Sequence, residues 1–387
     1  MRQQRITSES VTEGHPDKVC DQIADSILDA LLAQDIHARC ACEVAAQPAG
    51  VQIMGEITSK TNVNYGAIAR SCIEGIGYTR SELGFDAVSC KVQCSVHQQS
   101  PDIALGVDSG TEKGLLIGEL GAGDQGIMYG YACGETSDLM PTPIMMAHTL
   151  TKRLAEVRKN GELPALRPDG KAQVTIDYLD GYPKRIDSVV ISAQHDAEIP
   201  IQTLRDQIEE LVIRNALPTQ WLDNDTRIYI NPTGRFVLGG PFADTGLTGR
   251  KIIVDTYGGC AHHGGGAFSG KDPTKADRTA AYMARYMAKN VVAARLAQKC
   301  EISLAYAIGI AHPVSVSVDT FGTGTKDDET LLKILQSQFD LRIGAMIERL
   351  NLLRPIYAPV SAYGHFGRPE LKLPWESLDA VECLQNC

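Results

Sequence analysis

The sequence predicts an α+β protein, because its strands come in pairs between long helical stretches; single strands alternating with helices would instead point to a doubly wound parallel sheet. Its 387 residues leave room for two or three domains, and 43% hydrophobic with 22% charged residues supports a large buried core. A net charge of −10, with no block of lysine or arginine, argues against a nucleic-acid binder, since counterion release needs a basic face. A phosphate site in such a protein is expected as a local cationic pocket.

Met1 to Ser10 is polar and lacks a signal core, and no uncharged apolar run approaches the length of a membrane span, so a cytoplasmic protein without membrane attachment is expected. Glu13-Gly14-His15-Pro16-Asp17-Lys18 leads into a helix: Pro16 suits its first turn, and Val19, Ile23, Ile27 and Leu31 recur every four residues as a buried stripe. Asp17, Asp21, Asp25 and Asp29 form a second row, expected to face solvent; only Asp17, in the first turn beside His15 and Lys18, is a candidate ligand. Two short strands follow around Gln47-Pro48-Ala49-Gly50, with Glu43 and Glu56 on the faces opposite their apolar neighbours. Cys90 to Gln99 alternates again, which puts Lys91, Gln93, Ser95, His97 and Gln99 on one face. From Ser100 to Leu120 no period is visible, so a lid hinged at Gln99 is expected there, ending in the glycine-rich turn Gly121 to Gly126.

The middle of the chain reads as a helix from about Pro143, stopped by Asn160-Gly161, then paired strands about Asp180-Gly181, then a helix carrying Leu204, Ile208 and Leu211 that stops at Pro218. The last third reads as strand, glycine-rich loop, long helix, strands through Ile302 to Val318, and two more helices before Pro355. The eleven cysteines show no CxxC pair and no metal-ligand spacing, and are expected as reduced core residues.

The richest stretch is Gly264-Gly265-Gly266-Ala267-Phe268-Ser269-Gly270-Lys271-Asp272-Pro273-Thr274-Lys275. Glycine lets backbone amides converge on an anion, two lysines stand beside it, and a helical pattern from about Ala276 would aim its amides and dipole at the same place. A polyphosphate is the first candidate. Gly265 to Lys271 has the spacing of a Walker phosphate loop, but Asp272 stands where that motif needs Ser or Thr for magnesium. A phosphotransferase of that type, which would leave ADP, is the weaker reading.

Gly121-Ala122-Gly123-Asp124-Gln125-Gly126-Ile127-Met128-Tyr129-Gly130-Tyr131 and the Gly264 to Asp272 segment together resemble the signatures of methionine adenosyltransferases, also called S-adenosylmethionine synthetases. The resemblance covers nearly the whole chain, through Glu13 to Lys18, Asn231-Pro232-Thr233-Gly234-Arg235-Phe236, Leu247-Thr248-Gly249-Arg250-Lys251 and Ala362-Tyr363-Gly364-His365-Phe366-Gly367-Arg368. It implies an enzyme in which the sulfur of L-methionine attacks C5′ of the ATP ribose and expels the triphosphate, which is then hydrolysed to pyrophosphate and phosphate. It also implies three similarly built α+β domains with interleaved chain segments around a pseudo-threefold, approximated in sequence as 1–101, a lid loop 102–120, 121–235 and 236–387. Two Mg²⁺ per site, one K⁺ per subunit, and a homodimer with shared active sites that often pairs into a tetramer belong to the same implication.

By position, His15, Lys171, Arg250, Lys251 and Lys271 resemble the family's catalytic groups around the triphosphate. Asp17 and Asp277 resemble its magnesium ligands and Glu43 its potassium ligand; Asp124, Asp169, Arg235, Phe236, Asp244 and Ala267 match further ATP positions, and Glu56, Gln99, Asp244 and Lys275 the methionine positions. The set suits the chemistry: the leaving group is a concentrated anion, so fixed cations and metal ions stabilise it, and a sulfur nucleophile needs no deprotonation. Ser109 to Leu120 is several residues longer than the family pattern. A non-catalytic relative would have lost a carboxylate or lysine of the set, and all are present.

Overall fold

The computed structural model describes residues 3–48, 50–98 and 120–387; the expected lid and its hinge Gln99 lie outside them. In chain order the elements are β1 (Gln3–Val11), the helix Pro16–Leu32, β2 (Arg39–Gln47), β3 (Gly50–Thr58), the helix Tyr65–Ile76 and β4 (Lys91–His97). The middle holds β5 (Gly126–Cys133), the helix Thr142–Lys159, the hairpin β6 (Leu166–Leu179) and β7 (Tyr182–His195), the helix Ile201–Ile208 and β8 (Arg227–Ile230). β9 (Gly246–Leu247), the helical turn Ile252–Asp255, the helix Ala276–Ala293, β10 (Lys299–Tyr306), β11 (Ser315–Asp319) and the helices Asp328–Gln338 and Ile343–Arg349 follow. No helix among the described residues is long and apolar enough to cross a membrane.

Among the described residues the strands form three sheets, ordered β1-β6-β7-β8, β4-β3-β2-β9 and β11-β10-β5. Each takes one strand from a distant part of the chain. β1 pairs antiparallel with β6 from Gln3 opposite Leu179 to Val11 opposite Lys171. β5 pairs with β10 from Gly126 opposite Tyr306 to Cys133 opposite Lys299, and β9 pairs with β2 through Leu247 opposite Ala45. One long helix packs on each sheet: Pro16–Leu32 on β2, Thr142–Lys159 on β1 and β6, and Ala276–Ala293 on β5 and β10. The α+β class and the interleaving of chain segments are both present, and the exchange is cyclic: the early segment lends a strand to the middle sheet, the middle to the last, and the last to the first.

The sequence explains most of the helices. Pro16 occupies the first turn of its helix, where a missing amide costs nothing, and Val19, Ile23, Ile27 and Leu31 are wholly buried. The helix Thr142–Lys159 stops at Asn160, with Gly161 in the left-handed region at φ 81°. The strand expected ahead of the glycine-rich loop is instead the turn Ile252–Asp255, closed by the Asp255 amide on the Lys251 carbonyl at 2.9 Å. Three cysteines depart from the core expectation: Cys94, Cys383 and Cys387 are exposed, the others are buried or half-buried, and all are free. Cys94 shares the parity of Val92 and Val96, but β4 is a sheet edge whose inward positions are only half covered.

The aspartate row overturns its expectation outright. Asp17, Asp21 and Asp25 are buried and Asp29 half-buried, because this face of the helix is covered by later segments of the chain. Arg278 forks onto Asp25 with contacts of 2.8 and 2.7 Å, both side chains wholly buried, and the Gly270 amide adds a bond of 2.8 Å to the same carboxylate. Asp29 accepts from the amides of Tyr357 and Ala358 at 3.0 and 2.8 Å. Breaking a buried pair from one side strands the other charge, so Asp25→Ala is expected to cost roughly 3–5 kcal/mol. Urea unfolding of the variant checks this; a loss below about 1 kcal/mol would fit a solvated pair instead.

Candidate active site

The residues singled out above gather in two neighbouring places. The first is the N-terminal end of the helix Pro16–Leu32, where His15 is the N-cap and its Nδ1 accepts from the Asp17 amide at 3.2 Å. Asp17 accepts through Oδ1 from the Leu247 amide at 3.0 Å and through Oδ2 from Lys251 Nζ at 2.5 Å. β9 brings Leu247 there, and Gly246 lies so close that a Cβ on it would stand 2.1 Å from the Pro16 carbonyl oxygen. On β6, Lys171 is exposed opposite Val11, and Asp169 is buried and accepts from the Gly240 amide at 2.8 Å. Phe236 is half-buried with its amide donating to His195 Nε2 at 3.1 Å, while Arg235, Asp244 and Arg250 are exposed.

The second place is the glycine-rich loop and the helix Ala276–Ala293 that it feeds. Gly266 runs against the first turn of this helix: a Cβ there would lie 2.3 Å from Asp277 Oδ1, so a larger residue would push the loop off the carboxylate. Lys271 donates to Asp277 Oδ2 at 2.5 Å. Lys271, Lys275, Asp277, Glu56 and Asp124 line one cavity of about 360 Å³, and the start of the helix, Ala276, turns its positive end into it. Ala267 joins the two places, since a Cβ on Gly249 would stand 2.5 Å from its side chain. Glu43 is exposed on β2 opposite Met54 of β3. Gln99 lies outside the described residues.

The P-loop reading fails on Asp272. Its buried carboxylate accepts from the Cys40 amide at 2.8 Å and from the Thr274 amide and hydroxyl at 2.9 and 2.7 Å, so it shapes the loop from within.

Sequence models of the N-terminal, central and C-terminal domains of S-adenosylmethionine synthetase match residues 3–101, 119–236 and 238–377. A protein of Clostridium tetani named S-adenosylmethionine synthase is 57% identical over 385 residues, covering 98% of each chain. One of Desulforudis audaxviator, of the same name, is 58% identical over 389 residues, covering 100% of this chain and 98% of its own. The chain belongs to the S-adenosylmethionine synthetase family.

In this synthetase-family chain the carboxylates and the imidazole are tuned by burial against nearby lysines. Burial pushes Asp17 upward, but the hydrogen bonds from Lys251 and the Leu247 amide outweigh it and hold the group below the usual carboxylate range. Burial raises Asp169 to about 6, although the Gly240 amide and Lys171 oppose it. The sequence does not single out Lys18, Asp21 and Asp255, which form an ionic group wholly inside the protein behind Asp17. Lys18 Nζ donates to Asp21 Oδ2 at 2.9 Å and contacts the Asp255 carboxylate. The available signal is the i,i+3 spacing of Lys18 and Asp21, which a solvated charged face produces equally well. His97, in contact with Glu56 at 3.2 Å, is a further cavity residue on the polar face read from β4.

His15 is the site's titration marker. Burial first, then the charge of Lys251, lower its pKa from 6.5 to about 3, with Asp17 pulling the other way. The unfolded chain therefore takes up a proton near pH 6.5 that the folded protein refuses until about pH 3. Stability carried by neutral His15 is present above pH 6.5 and is lost as pH falls toward 3. NMR of the imidazole should show no titration of His15 between about pH 5 and 8; a midpoint near 6.5 would place the ring in solvent.

Proposed function

We propose that this protein makes S-adenosyl-L-methionine from ATP and L-methionine, the activity its relatives are named for. The methionine sulfur attacks ribose C5′ and the triphosphate leaves whole, to be hydrolysed in the same cradle to pyrophosphate and phosphate. One observation carries the reading: at the starts of two long helices a lysine reaches a carboxylate, Lys251 to Asp17 and Lys271 to Asp277, across a glycine-rich backbone. Ammonium groups and helix N-termini stabilise negative charge as it grows on a departing triphosphate. With Nδ1 accepting from the Asp17 amide, the proton of the neutral His15 ring sits on Nε2, which is left to donate to a phosphate oxygen. Arg250 and Lys171 add charge from exposed positions.

In the cavity, Glu56 and Lys275 complement the ammonium and carboxylate of an amino acid, with Asp244 and Gln99 assigned to the same head group. Asp124, Asp169, Arg235, Phe236 and Ala267 serve ATP, Phe236 by a ring face. Asp17 and Asp277 each offer one hard oxygen ligand, the donor set that suits Mg²⁺, which takes one or two carboxylates and completes its shell with phosphate oxygens. Bound there, two Mg²⁺ would neutralise the phosphates of the leaving group. Glu43 is the oxygen ligand we assign to K⁺. A homodimer with shared sites, and pairs of such dimers, belong to the same proposal.

Incubation with ATP, methionine, Mg²⁺ and K⁺ should give S-adenosylmethionine, pyrophosphate and phosphate by mass spectrometry; ADP would sink the proposal. Lys271→Ala and Asp17→Asn should each lower turnover by about 10²–10³ in folded protein, the range for removing one charge-stabilising donor. Turnover within about threefold of wild type would show the groups wrongly assigned. Sedimentation should find a dimer or a larger even assembly at working concentration, and a fully active monomer would contradict the shared site.

A further inference from the structure

Behind the candidate triphosphate site lie three charged side chains that touch no candidate substrate position. Lys18, Asp21 and Asp255 are 0%, 0% and 1% exposed, and they hold the segment carrying Arg250 and Lys251 from both ends. On the near end, Asp21 Oδ1 accepts from the Gly249 amide at 2.9 Å. On the far end, the Asp255 amide bonds to the Lys251 carbonyl at 2.9 Å and closes the turn Ile252–Asp255. Lys18 Nζ joins the two carboxylates, so both flanks of the Arg250-Lys251 pair are tied to one turn of the helix Pro16–Leu32.

We infer that Asp21, bridged by Lys18 to Asp255, is a positioning residue that sets where Lys251 meets the triphosphate, an inference that rests on the reading of Lys251 given above. The neighbouring contacts leave the segment little other freedom. Thr248 is bonded both ways to Val44, its amide to the Val44 carbonyl at 3.0 Å and its hydroxyl from the Val44 amide at 2.7 Å. Gly249 holds φ at 74° beside Ala267. Lys251 is then the first residue of the segment whose side chain reaches Asp17. Stability alone does not explain the arrangement, because a buried ion group is commonly matched or exceeded by apolar side chains of the same volume. Geometry does, since a displacement of about 1 Å in a charge-stabilising group can cost about 10² in rate.

Asp21→Ala is a usable test because Lys18 keeps one carboxylate partner, Asp255, so no buried charge is left unpaired. Steady-state kinetics of the full-length enzyme should show kcat reduced about 10- to 100-fold, with KM for ATP changed less. Asp21→Asn, whose carbonyl oxygen can still accept from Gly249 but whose amide nitrogen cannot accept from Lys18, should regain part of that loss. Placed on Lys251→Ala, Asp21→Ala should add less than about twofold, because a residue that acts through Lys251 has nothing left to position. Should Asp21→Ala not fold, the replacement Lys18→Met, Asp21→Leu, Asp255→Leu removes the clamp while filling its volume, with the same expected kinetics. Turnover of the clamp variant within twofold of wild type, or a loss that compounds in full on Lys251→Ala, would overturn the inference. Wild-type turnover in Lys251→Ala alone would instead overturn the reading of Lys251.

Discussion

A row of four aspartates on one face of the helix Pro16–Leu32 governs how the rest of the chain assembles. Buried carboxylates must find donors, and these four find them in three later segments. Asp17 takes Leu247 and Lys251, Asp21 takes Gly249, Asp25 takes Gly270 and Arg278, and Asp29 takes Tyr357 and Ala358. The helix thus carries the segment of Lys251 at Asp17 and Asp21, the glycine-rich loop at Asp25 and the chain near the C-terminus at Asp29. Arg278 also stands over the Tyr357 ring at 4.2 Å, so the second and third of these segments support each other.

That dependence explains what the sequence conceals. An aspartate every fourth residue has the signature of a solvated face, and only the distant partners make it an interior one. The three exchanged strands are hidden for a related reason. β1 is mostly polar and exposed in its first half, β9 is two residues long, and β5 begins inside a glycine-rich turn, so none has the alternation that marks a strand. Their pairing partners define them. Where the pattern is local, in the apolar stripe Val19 to Leu31, the stop at Asn160-Gly161 and the alternation of β2 and β3, sequence and structure agree.

The candidate site divides along the same line. The glycines of the loop are legible because their need is local: the backbone at Gly266 must pass the carboxylate of Asp277, eleven residues onward in the helix that the loop feeds. Asp17 is legible from its place in a first turn. Lys18 and Asp255 are not, because 237 residues separate them and nothing near either announces the other. The positions named through family resemblance fall in two adjoining places, with Glu43 on β2 within electrostatic reach of Lys271 and Glu56, apart from Gln99, which lies outside the described residues. That convergence is a property of the fold that spacing alone does not supply.

The electrostatics of the site depart from the cationic pocket expected of an acidic protein. Lys251 and Lys271 are already paired with Asp17 and Asp277 at the starts of two long helices, and Arg39, Lys271 and Lys275 share one cavity with Glu56, Asp124 and Asp277. Such pairing offsets the cost of holding an ammonium group partly out of water, and it keeps the chain free of an unbalanced positive patch that would gather any polyanion. It also bears on the ligand proposed above. A bare polyphosphate entering this set would meet as many carboxylates as cations, whereas a polyphosphate carrying divalent cations presents both signs and can engage both. On the function proposed above, the mixed set would favour nucleotide accompanied by metal over nucleotide alone, which is the charge argument for the proposal that Asp17 and Asp277 hold Mg²⁺.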